Sequence, residues 1–145
     1  MLGIVIVALC SLAPPAFADD HVALFKNVTG QVSVLRNGSA VEARPGMELF
    51  KLDEVVSAVG SSGGIVFVDG TLLTLGSSSE VVIRNYVFEP KESQYAFSAY
   101  LRRGTAIYSS GKIGKLSPES VIVETPKAVV GVRGTRFIFT AEPGE

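Results

Sequence analysis

The sequence predicts a single all-β domain of about twelve short, mostly antiparallel strands in a sandwich- or roll-like fold, with a solenoid-like β-roll as the alternative. Three observations predict it. Apolar residues recur with a period of two, as half-buried strands require. Turn signals return roughly every eight to twelve residues, the rhythm of sandwiches and barrels. No long window carries a helical pattern; Ser77-x-x-Glu80 resembles a capping box, but the β-branched run Val81-Val82-Ile83 follows it and favours a strand. A chain of 145 residues, 47% hydrophobic and 19% charged, has room for one core and argues against long disorder.

The first 18 residues stand outside that domain. An apolar run from Met1 to Leu9 is broken by Pro14-Pro15, and Ala16-Phe17-Ala18 is the small-x-small pattern that precedes secretory cleavage. The run is short for a bilayer span, so residues 1–18 read as a removed signal peptide and 19–145 as the domain, with no stable membrane anchor after cleavage. Leu9 before Cys10 departs from a lipoprotein box, and no Lys or Arg precedes the apolar run. Cleavage after Ala18 leaves no cysteine, which excludes disulfides and thiolate metal sites, and only His21 as an imidazole. No cofactor and no metal are expected.

Within the domain, Val32 and Val34 alternate with Gln31 and Ser33, and Asn37-Gly38 then marks a two-residue hairpin, both of whose central residues need positive φ. Pro45-Gly46 and Ser61-Ser62-Gly63-Gly64 are further corners. Ile65–Val68 and Leu72-Leu73 are apolar on both faces, as in doubly covered strands, and Asp69-Gly70 joins them. Tyr95, Phe97, Ala99 and Leu101 alternate with polar neighbours; after the Ser109–Lys112 corner, Phe137 and Phe139 do the same. One device recurs: Asp69-Gly70-Thr71, Arg103-Gly104-Thr105 and Arg133-Gly134-Thr135 each place a glycine bend before a β-branched threonine that re-enters the sheet.

The formal charge of −1 hides an asymmetry: residues 19–100 carry −4 and residues 101–136 carry +5. Arg102, Arg103 and Arg136 are therefore binding candidates for an anionic surface. Nucleic acid is not the expected partner of an exported chain with a pI near 5.9. The G-x-x-G of Gly131–Gly134 lacks flanking helices, and Gly111–Lys115 lacks phosphate-loop spacing. Asp53-Glu54 and Asp69 are conceivable acid pairs for a hydrolase, but no spacing singles them out. Arg133, set between apolar flanks, is expected to form a buried structural clamp with Asp53, Asp69 or Glu124.

Several stretches resemble the FecR domain. Gly30-x-Val32-x-Val34-x-Arg36-x-Gly38, Gly46-Met47-x-Leu49 and Asp53-x-Val55 are similar to its opening, and Gly64–Glu80 to its central motif. Leu101–Thr105, Gly111–Ile113 and Val123-x-Thr125-Pro126-x-Ala128-x-x-Gly131-Val132-Arg133-Gly134-Thr135-x-Phe137 are similar to its second half. The resemblance makes Asp69, Gly70, Thr125, Pro126, Gly131, Arg133, Gly134 and Thr135 a structural signature. It implies an all-β periplasmic domain. In the family's regulators such a domain relays a signal from an outer-membrane iron-siderophore receptor to a sigma factor. Here a signal peptide stands where those regulators carry a sigma-binding segment and a transmembrane helix, so the anti-sigma role is not transferred.

The expected function is therefore a non-enzymatic exported domain that binds a protein partner in the cell envelope, in envelope or iron-related signalling. The alternative is a carbohydrate- or peptidoglycan-binding module that stacks sugars on Tyr86, Tyr95, Tyr100 and Tyr108. Family members continue past the strand at Thr135–Thr140 into a returning strand; the turn at Ala141–Glu145 predicts that this last strand is missing. The edge left open would then pair with another chain, an edge-strand homodimer being one form.

Overall fold

The computed structural model describes residues 20–142, so the expected leader and the turn residues Pro143 and Gly144 lie outside the described residues. Twelve strands follow in order: β1 (Ala23–Thr29), β2 (Val32–Arg36), β3 (Ser39–Glu42), β4 (Glu48–Leu49), β5 (Glu54–Ser57), β6 (Ser62–Phe67), β7 (Leu72–Leu75), β8 (Glu80–Glu89), β9 (Gln94–Ser109), β10 (Val121–Thr125), β11 (Ala128–Gly131) and β12 (Arg136–Ala141). One short helix, α1 (Lys112–Leu116), precedes β10, with single 3-10 turns at Pro90–Glu92 and Pro118–Ser120.

The strands are not all short. β9 has 16 residues, and its N-terminal half pairs with β8 and β10 while its C-terminal half pairs with β7 and β12. The same division runs through the sheet. β2, β5 and β8 neighbour one another in one half, while β1, β6 and β7 do so in the other. Each of the couples β1–β2, β5–β6 and β7–β8 therefore acts as one long strand bent in the middle. The result is a curled antiparallel meander folded over itself, with β9–β10 as its parallel pair. A solenoid stacks strands in parallel, so the expected alternative is not what forms.

The line of bends has a chemical cause. Gly30, Gly60 and Gly104 have φ of 74°, 72° and 90°, and Ser78 has 52°, conformations that glycine adopts most easily. Serine side chains replace the ladder bonds lost at the crease. Ser61 Oγ accepts from the Gln31 amide, Ser57 Oγ accepts from Ser79 N–H and donates to the Gly76 carbonyl, and Ser79 Oγ accepts from Thr105 N–H. Ser57, Ser61 and Ser79 are all buried, so each hydroxyl finds its partner in the backbone rather than in water.

Folding the sheet on this crease brings two apolar faces together. Phe25, Val32, Val34, Ile65, Phe67, Leu73, Leu75, Val81, Ile83, Phe97 and Leu101 fill the space between them, at about 1.5–3 kcal/mol for each large side chain. Phe97 anchors the centre, edge-on to Phe67 at 4.9 Å and to Tyr108 at 5.5 Å. At the β2–β3 hairpin, Asn37 and Gly38 have φ of 51° and 78°, as the sequence predicts. Gly70 and Gly134, the other two glycines of the recurrent Gly-Thr device, also have positive φ.

Candidate functional site

The signature residues do not gather into one pocket; they build the two ends of the segment that leads into β11. Asp69 is buried in the β6–β7 turn and is saturated by neutral donors. Tyr86 Oη (2.8 Å), Thr71 Oγ1 (2.7 Å), the Thr71 amide (3.2 Å) and the Ile113 amide (3.0 Å) all donate to its carboxylate. Its carbonyl accepts from the Lys112 amide, so Asp69 holds the start of α1. A side chain at Gly111 would strike the backbone at Gly70 and Thr71, so only glycine lets α1 dock this closely. Burial, and after it the Asp69 carboxylate, pushes the Tyr86 phenol well above the ordinary tyrosine range.

Beyond α1 the chain returns as the β10–β11 hairpin. Thr125 pairs with Ala128 across Pro126-Lys127, and β10 lies parallel to β9. β11 pairs only with β10 among the described residues, and all four of its residues are exposed. The Val132 amide donates to the Val121 carbonyl, which fixes the parity of the ladder. Ala128 and Val130 then face β10, while Val129 and Gly131 direct their N–H and C=O groups away from it. Val129 is 70% exposed and Ile138 on β12 is 68% exposed. β12 pairs with β9 alone among the described residues. One open side of the folded sheet thus consists of two edges with apolar side chains on the surface.

Arg133 corrects the sequence expectation. It is exposed, and the expected buried clamp is not formed. Asp53 holds Arg36 through two hydrogen bonds of 2.9 and 2.7 Å, Asp69 is occupied as above, and Glu124 pairs with Arg84. The physical reason is the loop after β11, which lies on the surface, so its guanidinium needs no protein partner. Its nearest electrostatic effect is on Glu119. That carboxyl is held below its usual range by a backbone hydrogen bond and by the Ser117 hydroxyl, with Arg133 contributing least.

The three arginines expected to bind an anion separate. Arg102 lies 3.5 Å from Glu54 and Arg103 lies 2.8 Å from Glu80, so both are compensated within the β5–β8–β9 surface. Arg136, on β12, has no ion pair among the described residues and remains a candidate. The tyrosine platform of the carbohydrate alternative does not form. Tyr86 and Tyr108 are core residues, Tyr95 packs on Phe88, and the Arg84 guanidinium covers Tyr100 at 4.1 Å. An acid pair does not form either, because Asp53, Glu54 and Asp69 each face separate partners.

A cleft of about 440 Å³ lies between Val22, Phe50, Val68, Tyr86 and Phe88, with Asp20, His21, Lys51 and Glu89 at its rim. The Tyr86 hydroxyl in its wall is already engaged with Asp69, and no other polar group is buried there. Sequence reasoning missed Lys127, Val129 and Val130 as site residues. Their signal is an uncharged β-branched run bracketed by cations, which does not by itself say that the run lies at an edge.

The family profile described as FecR protein matches residues 53–145. Its match begins at Asp53, so all of the similarity noted at Gly30–Leu49 falls before it. No curated protein and no solved structure matches the chain. FecR proteins are signalling rather than enzymatic and are usually associated with the cell envelope. No helix of the described residues is long and apolar enough to cross a membrane. With the profile covering well over half of the sequence on the same β-meander and hairpin described above, the chain belongs to the FecR family.

Proposed function

We propose that this chain is a non-enzymatic, periplasmic partner-binding domain, exported by the leader at Met1–Ala18, and that it takes part in envelope signalling by binding a protein on its β11–β12 side. The observation that carries this reading is the β11 edge. It presents outward backbone groups at Val129 and Gly131 beside an exposed apolar side chain, a template for strand addition. A photo-crosslinking residue placed at Val129, with a matched one at Val41 on β3, tests it in the native envelope. The expected result is a protein adduct from position 129 that is abolished by Gly131→Pro, which removes the other outward N–H of β11. Adducts of equal yield from both positions, or adducts to polysaccharide, would sink it. A second reading, an edge-strand homodimer, rests on β12 and its exposed Ile138. Sedimentation of Ile138→Lys beside the wild type tests that one, since only a dimer through β12 dissociates.

A further inference from the structure

The charge around β11 says what kind of strand fits it. From Pro126 to Ala141 the chain carries three cations, Lys127, Arg133 and Arg136, and no carboxylate. Two of them bracket β11: Lys127 immediately precedes Ala128, and Arg133 follows Gly131 by two residues. All three cations are exposed and none forms an ion pair among the described residues. Of the nearby acids, Glu124, beside Val129 in the ladder, pairs with Arg84, and Glu119, which accepts from Ser117, forms no ion pair with Arg133 and feels it only weakly.

This arrangement disfavours a second copy at β11. Antiparallel pairing of two β11 strands through their outward groups sets Val129 against Gly131 of the other copy, with Val130 on the axis. It thereby brings Lys127 of one copy opposite Arg133 of the other, at both ends. Like charges opposed across strands are destabilising, whereas opposite charges there are favourable. Val130 lies on the same face of the hairpin as core residue Val123, so a side chain added beside it extends the core edge and should be apolar.

We infer that the occupant of β11 is an extended segment of another protein, apolar at alternate positions and flanked by Asp or Glu at both ends. This inference rests on the strand-addition reading above. Two soluble peptides test it against the full chain by fluorescence anisotropy. One is a ten-residue alternation of Thr and Val ending in two glutamates on each side; its twin ends in lysines. The glutamate peptide is expected to bind about fivefold tighter at low salt, from two favourable cross-strand charge sets. That preference shrinks at high salt and reverses in the Lys127→Glu, Arg133→Glu double variant. Val129→Pro, which removes an outward N–H without touching the β10 ladder, abolishes binding of both peptides. Equal affinity for the two peptides, or a lysine preference, overturns the acidic-partner inference and leaves strand addition standing. Failure of both peptides to bind, or unchanged binding by Val129→Pro, overturns strand addition itself. A wild-type dimer that the glutamate peptide dissociates and Val129→Pro abolishes makes the occupant a second copy and overturns the inference. Melting curves of the variants, all at exposed positions, confirm that each is folded.

Discussion

The folded sheet has two open sides, and they are built differently. One is formed by β3 and β4. There β4 is only two residues long, Glu42 and Glu48 stand on the edge strands, and Pro45 interrupts the chain between them. Short edges, charges and proline are the devices that keep a sheet from pairing with a stranger. The other side, β11 and β12, differs in sign and in apolar content: its strands carry Val129, Val130 and Ile138 on the surface, its charges are the cations Lys127, Arg133 and Arg136, and it has no carboxylate before Glu142. Each side is also pinned by its own buried carboxylate. Asp53 holds the β3–β4 side through the Arg36 guanidinium, whose pKa that hydrogen bond raises, and through the Phe50 amide. Asp69 holds the way into β10 and β11 with neutral donors alone. The lesson is that both sides are anchored by a buried carboxylate, while their edges differ: acidic and partly two residues long at β3–β4, cationic and more apolar at β11–β12.

The comparison can be broken most severely at Asp69. Asp69→Ala orphans the Tyr86 and Thr71 hydroxyls and two amides, and about 4 kcal/mol of stability should be lost in urea titration. Amide exchange should accelerate first between Ile113 and Gly131, before β3 is affected. Gly104→Ala strikes the crease common to both sides. Its new Cβ would lie 2.5 Å from Ser79 Cα at a φ of 90°, so about 3 kcal/mol should go. Both sides should then loosen together. Asp53→Ala is the mirror experiment, with exchange accelerated at β3 and β4. Because Arg36 is about a third exposed and solvent screens it, the expected loss is about 2 kcal/mol.

Smaller effects sharpen the contrast. The folded-state pKa of Tyr86 lies above its ordinary value, so its contribution is complete below about pH 10 and is lost as pH climbs from there towards the folded value. Alkaline unfolding should therefore be shallower in Tyr86→Phe than in the wild type, and a parallel slope would refute the assignment. Arg133→Ala should change stability by less than about 0.5 kcal/mol, as for an exposed surface residue, while weakening the glutamate peptide. A sharp fall in melting temperature would restore the buried clamp that the sequence suggests.

The local pattern made much of this legible. Alternation located the strands, Asn37-Gly38 named its hairpin, and the Gly-Thr device marked three backbone positions that do have positive φ. Three things were not legible. The serine run Ser61-Ser62 reads as an ordinary corner, because nothing local says that Ser61 will lie buried and hold the Gln31 amide, 30 residues away. Arg133 between apolar flanks reads as buried, because an exposed apolar edge and a buried strand share one composition. The tyrosines read as platforms, because nothing local says that Tyr86 will meet Asp69, 17 residues away, in the core.

By itself the sequence determined the secondary structure, the turns that need glycine, the charge imbalance and the family, since these depend on residue type and spacing over a few positions. The tertiary structure alone decided which strands became edges, which carboxylates were matched by which donors, and which cations were left without a partner. Those outcomes depend on contacts between residues far apart in the chain, and here the bend at Gly104 and the docking of α1 on Asp69 set them.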